Sequence, residues 1–171
     1  VKPGLVIVYD RLVAREPSSF DYWLHAVNEF AIDDQHSVRV HAGDVRCDIN
    51  FLAPGDLAFQ QTNQYDPNPR PRIKLREWHL TATTPGRKRA VEFVTLYRPR
   101  RARDKVVAGA RLTKVEGGYA LRAELEDGHV VALLPTSDTP ELRSHGIETR
   151  GAIVIERRRI DGSVVQTLKA R

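Results

Sequence analysis

Apolar and polar residues alternate with a period of two along most of the chain, and no window sustains an apolar stripe at helical spacing. Side chains that change face at every residue suit a strand half buried in a sheet, so the pattern predicts an all-β protein. Strands are expected over residues 5–12, 20–30, 37–41, 45–52, 57–62, 73–83, 90–98, 106–115, 119–125, 130–134, 152–160 and 164–168. One helical turn over residues 140–144 is the sole helical candidate. Ala42-Gly43, Gly117-Gly118, Asp127-Gly128 and Asp161-Gly162 fall between these runs and supply the positive φ angles of tight hairpin turns, which implies antiparallel, meander-like pairing.

Three stretches interrupt the alternation, one of them the loop over residues 84–89 with three cations in a row. Residues 65–72, Tyr-Asp-Pro-Asn-Pro-Arg-Pro-Arg, carry three prolines without ladder donors and read as an irregular loop. Residues 98–103, Arg-Pro-Arg-Arg-Ala-Arg, separate long, aromatic strands from shorter ones joined by Gly-rich hairpins. The expected architecture is an antiparallel β-sandwich over residues 1–102 with a small C-terminal β subdomain over residues 103–171 packed on it.

Length and composition narrow the picture. A chain of 171 residues can bury a workable core without staples. Cys47, the single cysteine, excludes an internal disulfide and reads as a buried, inert thiol in its strand. The longest apolar runs, such as residues 5–9, are too short to cross a membrane or to serve as a signal-peptide core. The sequence starts at Val1 and contains no methionine, so it reads as a processed or excised piece. The net charge of +5 favours an acidic partner only mildly, and no zinc-finger spacing, basic helix or aromatic RNA-binding strand accompanies it, so neither nucleic acid nor membrane is expected as a partner.

Candidate chemistry is sparse. No Gly-x-Ser-x-Gly elbow and no phosphate-binding glycine loop occurs, and pairs such as Asp33-Asp34 or Glu124 and Glu126 read as solvated charge, so no catalytic residue is assigned. His25 and His79 could meet across a sheet and hold zinc with Asp44 or Asp48, against the plainer reading of histidines hydrogen-bonded at a sandwich edge. No metal site is assigned. The alternation places Lys74, Arg76 and Trp78 on one face of one strand, beside a loop carrying Arg70 and Arg72. Lys74, Arg76, Trp78 and Arg72 are therefore the candidate carbohydrate-binding set, with guanidinium forks for a carboxylate or sulfate and an indole for the apolar face of a sugar. The competing reading is Trp78 as packing.

An ordered series of short motifs over residues 1–100 resembles the later β-sandwich half of heparinase II/III-like polysaccharide lyases. It comprises the opening Lys2-Pro-Gly-Leu-Val-Ile-Val-Tyr-Asp-Arg11, then Trp23-Leu-His25, Phe51-Leu-Ala-Pro54, Glu77-Trp-His-Leu80 and Val91-Glu-Phe-Val-Thr-Leu96. The resemblance implies a parent protein with a helical toroid ahead of the sandwich, which cleaves uronic-acid polysaccharide by β-elimination. It places the eliminating residues and the histidine-rich zinc segment before Val1, so no catalytic role and no cofactor is carried onto this chain. Its implied partners are acidic polysaccharide and the upstream toroid, and its implied location is periplasmic or secreted. Two other readings stand beside it: a free-standing carbohydrate-binding or adhesion module, and a metal-dependent enzyme using His25 and His79.

Overall fold

Alternation becomes fifteen antiparallel strands among the residues that the computed structural model describes, which are 4–64, 72, 77–138 and 141–170. Of these residues 68% lie in strands and none in a helix, and the fold is all-β and sandwich-like. The chain divides into two compact units, Lys2–Asp104 and Lys105–Arg171.

The N-terminal unit holds β1 (Val6–Ser18), β2 (Asp21–Ala26), β3 (Ala31–Ile32), β4 (Ser37–Ala42), β5 (Val45–Ala53), β6 (Ala58–Thr62), β7 (Trp78–Thr83) and β8 (Lys88–Arg101). They form a five-stranded sheet in the order β1-β8-β5-β4-β3 and a three-stranded sheet in the order β2-β7-β6. Leu24, Leu80 and Ala82 of the smaller sheet share one buried cluster with Val38, Ile49, Phe51, Val91 and Phe93 of the larger. Burial of that shared apolar surface is what joins two sheets that exchange no ladder hydrogen bonds.

Aromatic rings set the register across this core. The Tyr22 ring lies 5.4 Å from Phe51, edge to face, and 5.3 Å from Phe93, while Phe51 also meets Phe59 at 5.4 Å. The Tyr22 and Tyr97 hydroxyls hydrogen-bond at 2.7 Å, so the polar tips of two rings from opposite sheets satisfy each other inside the sandwich. Burial, helped by that bond, pushes the Tyr97 phenol well above its ordinary range.

The C-terminal unit holds β9 (Ala110–Val115), β10 (Gly118–Leu125), β11 (Gly128–Pro135), β12 (Glu141–Ser144), β13 (Ile147–Arg150), β14 (Ile153–Arg159) and β15 (Val164–Ala170). Five of them form a sheet in the order β15-β14-β11-β10-β9, and β12 and β13 form a separate hairpin. Leu142 and Ile147 of that hairpin pack with Ala120, Val131, Leu133 and Val154 of the sheet, giving the unit a core of its own. Gly128 is required where it stands: its φ is 154°, and a Cβ there would overlap the backbone of Arg158 and Arg159 on β14.

The hairpin corrects the expectation of a helical turn over residues 140–144. Leu142 is buried while Glu141 and Arg143 are exposed, and Ile147 and Thr149 repeat that alternation on the return strand. The turn is carried by His145 and Gly146, both at positive φ. A non-glycine residue in that region is uncommon, and histidine is among those that tolerate it, which is why the pair escaped the glycine-based turn reading. The strands expected over 106–115 and 20–30 are shortened to Ala110–Val115 and Asp21–Ala26, and β1 is longer than expected.

Under the hairpin side of the sheet, His129 stands opposite Glu124 on β10 and Arg158 on β14. Desolvation first, and the cationic Arg122 next, hold its imidazole below the ordinary histidine value of 6.5, with Glu124 opposing them and Arg158 and His145 adding to the depression. The unfolded chain therefore takes up this proton at higher pH than the folded one. The resulting stability is complete above the ordinary value and is lost as pH falls from there through the depressed folded value. Thermal unfolding followed between about pH 7.5 and pH 5 is expected to show a falling midpoint that flattens in His129→Gln.

Candidate functional site

The outer face of the three-stranded sheet follows from the core by parity. On β2, Leu24 is buried and Tyr22 and Ala26 pack against the same core, so Asp21, Trp23 and His25 point away from it. On β7, Leu80 and Ala82 are buried with Trp78 packed beside them, which turns His79, Thr81 and Thr83 outward. On β6, Phe59 packs inward, and Gln61 closes a two-way bond with the Phe30 backbone at 3.0 Å and 2.8 Å, leaving Ala58, Gln60 and Thr62 on the outer face.

Strand register assembles these residues into three cross-strand rows: His25, His79 and Thr62; Trp23, Thr81 and Gln60; Asp21, Thr83 and Ala58. In the first row the His25 and His79 rings are 4.9 Å apart. The Trp23 indole stacks on His25 at 6.3 Å with an interplanar angle of 28° and meets His79 edge-on at 6.4 Å. Glu77, just ahead of β7, brings Oε1 to 3.5 Å from His25 Nδ1, an ion pair whenever the imidazole is protonated. In the third row Thr83 donates to Asp21 at 2.8 Å. His79 on the central strand is only 9% exposed, whereas Trp23 is 56% exposed. The result is a solvent-facing indole braced by two imidazoles and bordered by hydroxyl, amide and carboxylate groups. Such a surface can stack the apolar face of a ring and hydrogen-bond its substituents at once.

Of the four candidate carbohydrate-binding residues, Lys74 and Arg76 lie outside the described residues. Arg72 is exposed. Trp78 does not stand on the outer face as expected: it is half buried and packs against the core cluster. The physical reason lies in its own alternation, since Trp78, Leu80 and Ala82 share one face and the two aliphatic residues commit that face to the core. The outward indole is that of Trp23, for which the signal was the complementary row of Tyr22, Leu24 and Ala26.

His25 and His79 do meet, but not with the carboxylates considered for them. Asp48 sits on β5 in the other sheet and accepts hydrogen bonds from Arg39 and Arg100. Asp44 lies 3.8 Å from Arg101. Glu77 occupies the neighbouring position instead. Among the described residues, no group of three or more His, Cys, Asp or Glu side chains is arranged to hold a metal ion. Cys47 is partly buried, and desolvation raises its thiol, which leaves it a poor nucleophile.

No protein-family model matches the chain, and no curated protein matches it either. The two tryptophans separate packing from contact. Trp78→Ala opens space beside Leu80 and is expected to cost about 2 kcal/mol or more, whereas Trp23→Ala is expected to cost under about 1 kcal/mol. Denaturant unfolding of both variants checks the difference, and equal losses would place Trp23 in the packing as well.

Proposed function

We propose that this chain is the non-catalytic C-terminal β-sandwich portion of a heparinase II/III-like lyase acting on acidic polysaccharide, and that its N-terminal unit contacts the sugar chain. The observation that carries the contact is the 56% exposed Trp23 indole on the outer face of the three-stranded sheet. A large aromatic held outward beside His25 and Glu77, while Tyr22 and Leu24 on either side of it are drawn into the core, suits a stacking platform. Arg72, with Lys74 and Arg76 ahead of β7 in the sequence, supplies cationic groups for a uronate or sulfate. The family reading rests on the ordered motifs of residues 1–100.

Titration of the chain with alginate and heparin fragments, read by tryptophan fluorescence, tests it. Binding is expected to be weak, to fall as salt rises beyond physiological strength, where screening acts over about 8 Å, and to drop about tenfold in Trp23→Ala. Arg72→Ala and Arg76→Ala are expected to weaken it less and to flatten its salt dependence. Unchanged affinity in folded Trp23→Ala would refute the platform. The same samples are expected to release no unsaturated uronate, followed by ultraviolet absorbance.

A second reading, metal-dependent chemistry at His25 and His79, is favoured by the 4.9 Å approach of their rings, two imidazoles without a third ligand among the described residues. It requires zinc binding at micromolar concentration that disappears in His25→Ala and His79→Ala. Calorimetric titration with zinc alone decides it, and absence of a saturable heat rejects it.

A further inference from the structure

The geometry points to a second binding site on the N-terminal unit, an oxyanion pocket formed by Arg46, Arg39 and His41 on the outer face of the five-stranded sheet. Parity again sets the face. Val38 on β4 and Ile49 on β5 are buried in the core, with Val40 and Cys47 packed against it, so Arg39, His41, Arg46 and Asp48 project from the opposite side. Register then sets basic groups beside one another: His41 on β4 is directly opposite Arg46 on β5, and Arg46 is directly opposite Arg100 on β8. Like charges placed directly across strands destabilise a sheet.

Nearby carboxylates do not relieve Arg46. Asp48 spends one oxygen on Arg39 Nε at 2.8 Å and the other on Arg100 Nε at 3.0 Å. Asp33 accepts from Arg39 Nη2 at 2.7 Å. Arg39 and Arg100 thus take up both carboxylates, and among the described residues neither Asp33 nor Asp48 pairs with the Arg46 side chain. These bonds hold Arg39 in place, so it meets an incoming anion without much further loss of side-chain freedom.

The basic groups surround space. A cavity of about 310 Å³ is lined by Arg39, His41 and Arg46 together with Ala31, Gly43 and Ala102. The small residues leave room, and a Cβ added at Gly43 would meet nothing within 4 Å. The volume is at the lower end of small-ligand pockets, enough for a sulfate, a carboxylate or one acidic sugar ring. An oxyanion seated there takes the planar fork of Arg46, restores the charge that the row of bases lacks and offsets the repulsion between Arg46 and Arg100.

The test uses the whole chain and two probes: sodium sulfate against sodium chloride at equal ionic strength, and methyl glucuronide. Sulfate is expected to give saturable shifts of the Arg39, His41 and Arg46 amide resonances at millimolar concentration, with chloride giving none. Arg46→Gln and Arg46→Ala are expected to weaken it about tenfold or more, as loss of a charge-assisted contact does. Saturation by both probes assigns the pocket to the acidic group of a sugar, and saturation by sulfate alone assigns it to a free oxyanion. Equal responses to sulfate and chloride, or unchanged sulfate affinity in folded Arg46→Gln, would overturn the proposal. Trp23→Ala serves as the separating control: sulfate binding is expected to survive it, so failure of the indole platform and failure of this pocket are told apart.

Discussion

Tyr22 ties the N-terminal unit together. Its ring packs on Phe51 and Phe93 of the opposite sheet while its hydroxyl meets that of Tyr97, so one side chain on β2 is located by three partners on β5 and β8. Aromatic pairs of this kind contribute about 0.5–1.5 kcal/mol beyond the area they bury, and a buried hydroxyl left without its partner costs about 1–3 kcal/mol. A slip of β2 by one residue would break all three contacts and drive Trp23 into the core. Outward display of Trp23 and His25 is therefore a consequence of where Tyr22 is held.

The same parity explains what could be read in the sequence. Alternation revealed the strand content, and glycine-bearing dipeptides marked several of the hairpins, because both depend on local chain geometry. Which face of a strand meets the core depends on partners far away in sequence. The run from Lys74 to Trp78 carries its own alternation but no aliphatic residue on the face of Trp78, whereas Leu80 and Ala82, further along the same strand, commit that face to burial. Leu80 and Ala82, both inside the strand predicted over residues 73–83, are the local signal that turns Trp78 inward. The meeting of His25 with His79 was anticipated as a pairing of strands, but their carboxylate neighbour was not, since Glu77 precedes β7 and owes its position to the path of the chain into that strand. Arg46 gave no local signal at all: its neighbours in the row come from β4 and β8, and only the register of three strands brings His41 and Arg100 beside it.

The C-terminal unit obeys the same rules with different materials. Its core is aliphatic, and the hairpin of β12 and β13 covers part of one sheet face through Leu142 and Ile147. Beyond those residues that face is lined with charge, and the ion pairs of Arg158 with Glu156 and of Arg122 with Glu124 neutralise most of it locally. His129 sits among these groups as the member whose charged form the surroundings disfavour. Ion pairs as exposed as that of Arg122 add little to stability, so the unit is held by its small apolar core and by ladder hydrogen bonds.

The aromatic platform and the basic pocket lie on the outer faces of opposite sheets of one sandwich, and this constrains how they can act together. Packed sheets are separated by about 10 Å, and side chains on both outer faces add to that span. A stiff polysaccharide laid across Trp23 cannot reach Arg46 without turning around a sheet edge. Simultaneous occupation by one polymer therefore gains little effective concentration from linkage, and the two contacts add nearly independently. On the binding proposed above, a sandwich arranged this way suits two separate sugar chains, or one chain and one free anion, better than a single bound strand. Each surface can then be lost or altered without disturbing the other, because both are set by the alternation around a shared core and neither takes part in it.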